Sequence, residues 1–342
     1  CEKPLAVLPE HAREMIRARC DLALKRARQL DGEATMERCL RLAGDHLPAH
    51  EDYSPRGYAE FMALAEALEV SPEELLIGNG YTDYVDVLRG ELTAGGEGCT
   101  SFIATGDATA DGLTYVGQTW DMNAFAEPHM RVFRRRPADG PAWVTLTTSG
   151  CLSLIGLSDR QIAVGNTNVS PVDALPGVIY LAMIHRALRS PDYASARASI
   201  QWAPRASGHY YYVASESGSA TGIETTATLH TALPIHDGLL VHANHYHDAR
   251  LSELASSEAS ENSLAREGML DGYLRERVGD LTLECFMEGL CLKEGRHPVC
   301  RPPVDDPEAG TTCGAAIICP QLRKMWIAPG NPRTTEFEEV AV

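Results

Sequence analysis

The sequence predicts an α+β protein in which a helical leading segment precedes sheets covered by helices. Three observations predict it. Apolar residues recur at helical spacing through 9–47 and 54–77. The texture then changes at Gly95-Gly96-Glu97-Gly98-Cys99 into short alternating runs, and residues 260–295 return to helical spacing before two closing strands. Strands and helices segregated in this way fit sheets with helical covers better than an alternating parallel design.

In the leading segment, Phe61, Leu64, Leu68 and Leu75 carry the apolar stripe. Ser71-Pro72-Glu73-Glu74 reads as a helix start, with Ser71 as N-cap, Pro72 at the first helical position and Glu74 closing a capping box. Beyond the glycine-rich seam, β-type runs fall at 100–104, 113–117, 130–134, 143–148, 152–157, 162–165, 210–214, 220–224 and 239–241. An amphipathic helix at 176–189 interrupts them. Leu274, Val278 and Leu281 mark the later helical stretch, and strands at 315–319 and 324–327 close the chain. No internal repeat or low-complexity tract is evident. The natural division is a helical segment, 1–98, and a sheet-rich core, 99–342.

The 342 residues, 44% of them apolar, suffice for a large buried core. A formal charge of −17 opposes non-specific attraction to nucleic acid or to an anionic membrane. The longest apolar runs, such as 177–184 and 314–320, are well short of the ~20 residues that span a bilayer, so no transmembrane segment is expected. The opening Cys1-Glu2-Lys3-Pro4 lacks both an initiator Met and an apolar signal core, which suggests a trimmed start. Ten cysteines with no CxxC pair fit reduced thiols and a cytoplasmic protein.

Glycine before cysteine at a helix-to-sheet seam has a chemical use. An internal thiol can attack the carbonyl just before it when that peptide bends, and glycine bends at little steric cost. Once released, Cys99 would hold a thiol and an α-amine together, and an amine with pKa ~7.7–8.0 is a suitable general base near neutrality. The thiol would attack an amide or thioester carbonyl and hand the acyl group to water or to an amine. Gly-Cys alone is a weak signal, because Gly150-Cys151 repeats it without such a seam.

Other groupings have plainer readings. His242, His245, His247 and Asp248 invite a zinc site, but strand alternation sends His242 and His245 apart, and no His-Glu-x-x-His motif is present. No metal is expected, and a zinc hydrolase at His242/His245 is the competing enzyme reading. A third is a non-catalytic interaction protein that retains the fold. Cys1 leads into a charged helical start instead of a strand, so its position reads as accidental. Arg134-Arg135-Arg136 reads as a solvated turn before it reads as a phosphate contact. Cys285, Cys291, Cys300, Cys313 and Cys319 are irregularly spaced and read as core packing.

The ordered blocks decide among these readings. Gly98-Cys99-Thr100-Ser101 is followed by Gly117-Gln118-Thr119-Trp120-Asp121, by Ala163-Val164-Gly165-Asn166-Thr167-Asn168, and by a helix with Pro176-Gly177 and Arg186. Ile223-Glu224, His242-Ala243-Asn244-His245 and Met325-Trp326-Ile327-Ala328-Pro329-Gly330 come next, and residues 66–75 match before the seam. Together these resemble the acyl-coenzyme A:6-aminopenicillanic acid acyltransferase family of cysteine N-terminal-nucleophile hydrolases, over nearly the whole chain.

The resemblance implies an αββα four-layer sandwich, a zymogen cut between Gly98 and Cys99, and two fragments that stay associated. It implies that Cys99 is the nucleophile, Asp121 orients the new chain end and Asn244 holds the oxyanion, with Thr100, Ser101, Asn166 and Asn168 as supporting candidates. Between Asn166 and Asn168 the sequence does not decide which faces the site. The implied activity is amide hydrolysis or N-acyl transfer through a thioester on a small amide, amine or acyl thioester. No resident cofactor is implied, and acyl-coenzyme A enters only as a co-substrate. Where related amidases carry an arginine shortly before the aspartate, this chain has Gln118, which removes support for carboxylate or β-lactam recognition at that position.

Overall fold

A computed structural model describes residues 8–89 and 98–342. Cys1 and Gly95-Gly96-Glu97 lie outside the described residues. Among the described residues the leading segment forms six helices: α1 (Leu8–Leu30), α2 (Met36–Gly44), α3 (Leu47–Tyr53), α4 (Pro55–Leu68), α5 (Pro72–Asn79) and α6 (Tyr81–Arg89). The capping box at the start of α5 is present. The Ser71 hydroxyl accepts from Glu74 N–H at 3.1 Å, and the Glu74 carboxylate accepts from Ser71 N–H at 2.8 Å.

Two antiparallel sheets follow. The first holds β1 (Ser101–Ala104), β2 (Tyr115–Asn123), β10 (Leu239–His242), β11 (Gly310–Cys319), β12 (Lys324–Ala328) and β13 (Glu338–Ala341), in the order β10-β1-β2-β11-β12-β13. The second runs β3 (Met130–Arg135), β4 (Trp143–Thr148), β5 (Ile155–Ser158), β6 (Ala163–Asn168), β7 (His209–Ala214), β8 (Ala220–Thr225) and β9 (His230–Leu233) in sequence order. α7 (Tyr180–Leu188) and α8 (Tyr193–Gln201) cover the second sheet, and a short α9 (Ala249–Ser252) follows β10. α10 (Glu261–Arg275) and α11 (Leu283–Leu290) cover the first sheet. The result is the expected αββα sandwich.

Side-chain alternation explains the apolar run in β11. Ala316 and Ile318 face the core between the sheets, whereas Ala315, Ile317 and Cys319 pack under α10 and α11 with Phe102, Tyr115 and Phe286. Both faces are buried, so the strand runs apolar from Ala315 to Cys319. The main core also includes Met15, Ile16, Leu75, Leu76 and Ile77, so the leading helices share it with the sheets.

Several boundaries differ from the sequence reading for physical reasons. The helix expected from 176 begins at Tyr180, because the backbone before it pairs elsewhere. Gly177 N–H donates to His46 Nδ1, Ile179 N–H to His50 Nε2 and Tyr180 N–H to Asp83 Oδ2. The stretch 260–295 is two helices, divided around Gly279 at φ +95°. Val278 and Leu281 belong to that turn. β9 and β13 are four-residue edge strands, each opening on two polar or charged residues (His230-Thr231 and Glu338-Glu339), too short and too polar to show an apolar periodicity.

Candidate active site

Gly98 and Cys99 enter the first sheet just ahead of β1. Cys99 is only 6% exposed, and its sulfur accepts from Asp121 N–H at 3.4 Å. β2 carries Asp121 opposite Thr312 of β11, where a bulge at Cys313 breaks the register. The Thr312 hydroxyl donates to Asp121 Oδ1 at 2.7 Å, which leaves Oδ2 without a partner among the described residues. Burial raises the Asp121 carboxyl to about 6, against the opposing pull of Arg266.

Arg266 of α10 organises the other side. It is 1% exposed and spends its fork on four acceptors. Nε donates to Asn262 Oδ1 at 2.9 Å, one terminal nitrogen to Cys99 O at 2.7 Å and Thr100 Oγ1 at 2.8 Å, and the other to Asn244 Oδ1 at 2.7 Å. That last bond fixes the Asn244 amide, because its oxygen faces Arg266 and its Nδ2 donates to Asn168 O at 2.8 Å with one N–H to spare.

Gly98 sits in the angle between these two side chains. A Cβ there would lie 2.0 Å from an Arg266 terminal nitrogen and 2.3 Å from Asn244 Oδ1. The glycine is therefore required for close approach: the Gly98–Cys99 link is flanked by an arginine fork and a carboxamide.

A cavity of about 210 Å³ opens beside the sulfur. Its walls include Cys99, Trp120, Asp121, Asn166 and Asn168 from the core, and Tyr81, Val85, Asp86 and Leu88 from α6. Asn166 and Asn168, two apart on β6, both reach this wall, so neither is set aside. Asn166 Nδ2 lies 3.1 Å from His209 Nδ1, and His209 Nε2 lies 2.8 Å from Asp83 Oδ1. This buried chain runs from α6 to the cavity and leaves Asn166 Oδ1, like Asn168 Oδ1, without a partner among the described residues. A second, more polar cavity of about 320 Å³ lies on the Asn244 side, and Asn168 and Ser170 line both.

Not every candidate reaches the cavity. Thr100 meets Arg266, whereas the Ser101 hydroxyl donates to His242 O at 3.0 Å and ties β1 to β10. Gln118 clips the two sheets together, its amide accepting from Asn166 N–H at 2.8 Å and donating to Asn166 O at 2.7 Å. The expected divergence of His242 and His245 is corrected. The strand ends at His242, residues 243–248 turn, and the two rings stack with centroids 6.4 Å apart. Cys285 and Cys291 are half-buried, unlike Cys300, Cys313 and Cys319, and no disulfide joins the described cysteines.

Arg134 and Arg136 are exposed, as a solvated reading expects, but Arg134 and Arg135 lie in a strand instead of a turn. They end β3 and donate to the chain's own carbonyls at Ala341, Cys151 and Leu152. Sequence reasoning missed Arg266, His209 and Asp83. A readable sign of Arg266 was a charge on the buried stripe Ser263, Arg266, Leu270 and Leu274.

The sandwich has the fold of the N-terminal-nucleophile hydrolases. Among solved structures, a mutant conjugated bile acid hydrolase from Clostridium perfringens matches at TM-score 0.50 and 10% identity, over 71% of this chain and 92% of that one. A Caenorhabditis elegans ortholog of N-acylethanolamine-hydrolyzing acid amidase matches at TM-score 0.47 and 14% identity, over 67% and 99%. Penicillin V acylase from Agrobacterium tumefaciens matches at TM-score 0.41 and 12% identity, over 71% and 86%. At such identities the likeness is one of fold. No family model and no curated protein sequence matches the chain. No helix among the described residues is long and apolar enough to cross a membrane.

Proposed function

We propose that the chain is a self-processing cysteine amidohydrolase or N-acyltransferase of the acyl-coenzyme A:6-aminopenicillanic acid acyltransferase type, with Cys99 as nucleophile. The observation that carries this reading is the convergence of Arg266, Asn244 and the Cys99 sulfur around the Gly98–Cys99 peptide beside a cavity. In processing, the sulfur attacks the Gly98 carbonyl carbon, the C–N bond breaks, and the thiol proton passes to the departing nitrogen. Water then hydrolyses the thioester, leaving a Gly98 carboxylate and a free Cys99 amine.

The freed amine acts as the base of the second reaction. It takes the thiol proton as sulfur attacks the substrate carbonyl, and the spare Nδ2–H of Asn244 meets the oxyanion. The leaving amine departs with that proton, and the acyl thioester goes to water or to a second amine, with acyl-coenzyme A as a further donor class. The unpartnered oxygens of Asp121, Asn166 and Asn168 support this, since a freed ammonium brings three N–H donors into a wall of acceptors. The leading fragment, 1–98, stays in place as part of the cavity wall. The amide-cleaving activities printed for the structural neighbours agree with the same reaction class.

Intact-mass measurement tests the reading directly. Wild-type protein should yield two fragments that part at Gly98, and Cys99→Ser should remain largely whole. A wild-type chain that stays intact and takes no thiol-directed acyl probe would remove it. Turnover over a panel of N-acyl amines, N-acyl amino acids and acyl-coenzyme A esters then identifies donor and acceptor.

A further inference from the structure

A second constellation lies on the far side of Asn244, where the chain turns from β10 towards α10. His247 Nε2 is 3.0 Å from Glu267 Oε1 and 3.1 Å from Oε2, and His245 Nε2 is 3.5 Å from the same Oε1. The ligand atoms all lie within 4.8 Å of one another. A tetrahedral zinc ion with bonds of ~2.0–2.1 Å sets its ligand atoms about 3.3 Å apart, so the two imidazole-to-Oε1 spacings straddle that value.

The surroundings suit an ion better than an ordinary ion pair. One carboxylate oxygen faces two imidazoles, and 3.5 Å is too long for a good N–H···O bond to His245. Ala243 N–H holds Glu267 Oε2 at 2.9 Å, which turns Oε1 towards the rings. Ser263 Oγ, 2.9 Å from His245 Nδ1, fixes that ring from behind, as outer partners of metal-bound histidines do. The three side chains are 12%, 28% and 18% exposed for His245, His247 and Glu267, so the cluster is open to solvent.

The neighbouring groups lack these features. Glu224, beside His242, already accepts from His242, His247 N–H and Asp248 N–H. At the His11, Glu14 and His129 group, Arg131 donates to His11 Nδ1.

We propose that His245, His247 and Glu267 bind one divalent ion of the zinc class, with water completing four ligands, and that this ion pins the 243–247 turn to α10. Asn244 sits between the ligands' anchor points, and its N–H donates to the same Ser263 hydroxyl at 2.8 Å. The ion therefore fixes the backbone that presents the Asn244 amide. No step at the sulfur passes through it, and the proposal does not depend on the acyl-transfer reading.

The test uses full-length protein treated with chelator and titrated with Co²⁺, whose visible absorption reports four-coordinate geometry, followed by displacement with Zn²⁺. One saturable site, intense cobalt bands and a raised melting temperature are expected. His247→Ala, at the most exposed ligand, should fold and weaken binding at least ~10-fold, and His245→Ala/His247→Ala should abolish it. Circular dichroism identifies folded variants, and His11→Ala should bind as wild type does. Absence of saturable binding, or undiminished binding in folded His247→Ala, overturns the proposal.

Discussion

Replacing Gly98 by alanine tests the site geometry most sharply. The new methyl would stand 2.0 Å from an Arg266 nitrogen, 2.3 Å from Asn244 Oδ1 and 2.8 Å from the Arg266 Cζ. Arg266 cannot swing aside freely, because it is buried and holds four acceptors. Making room costs the bond made by the nitrogen nearest the methyl, that to Asn244 Oδ1. A hydrogen bond to a charged group is worth about 1.5–3 kcal/mol. At 1.36 kcal/mol per factor of ten, even the lower figure slows processing about tenfold.

The assay is a timed mass-spectrometric measurement of intact chain against fragments in freshly purified Gly98→Ala and wild-type protein, with near-UV circular dichroism to establish that the variant is folded. Gly268→Ala is the control: nothing lies within 4 Å of its Cβ, and as an α10 residue it should gain about 0.5–1 kcal/mol of stability while cleaving normally. A folded Gly98→Ala chain that cleaves at the wild-type rate would refute the claim that Arg266 and Asn244 close on this peptide.

Three further outcomes follow from the same geometry. Asn244→Ala should lower kcat by about 10²–10³ with KM changed little, because an oxyanion donor acts mainly in the transition state; a change confined to KM would reassign the residue to substrate binding. Asp121 binds its proton more tightly folded than unfolded, so between its ordinary value of 3.8 and about 6 the native state holds the extra proton and stability falls as pH rises. The full drop is about 3 kcal/mol, and urea titrations of Asp121→Asn should lose that share of the slope; an unchanged slope would contradict the burial argument. Asp83→Ala strips the buried His209 of its carboxylate partner and should cost about 3–5 kcal/mol by urea unfolding, whereas a loss under about 1 kcal/mol would mean that the Asp83–His209–Asn166 chain is dispensable.

What the sequence discloses depends on how local the cause is. The capping box at Ser71 and the strand Trp143–Thr148 rest on neighbours a few residues apart, and both could be read directly. The start of α7 could not, because His46, His50 and Asp83 claim its preceding backbone from about a hundred residues or more away. Gln118 shows the limit from the other direction. Its place beside the site is legible, but its work as a clip between two sheets depends on the Asn166 backbone, which only the folded sandwich brings within reach. Arg266 is a long-range case of the same kind, a helical residue whose partners lie at the head of β1 and in the turn after β10.

The same long-range contacts bear on what the leading segment is for. Were it only a propeptide that shields the thiol, its removal would open the cavity and leave the core whole. Instead Leu75, Leu76, Ile77 and Tyr84 are fully buried, and they belong to the core shared with both sheets. Asp83 reaches through His209 to Asn166, and Tyr81, Val85, Asp86 and Leu88 form part of the cavity itself. Stripping the segment would expose four large apolar side chains worth about 1.5–3 kcal/mol each and leave His209 without its carboxylate. The proposed cut at Gly98 would therefore free an amine without freeing a fragment: the leading helices hold the Asn166 side of the wall, and Arg266 and Asn244 would hold the side facing the new terminus.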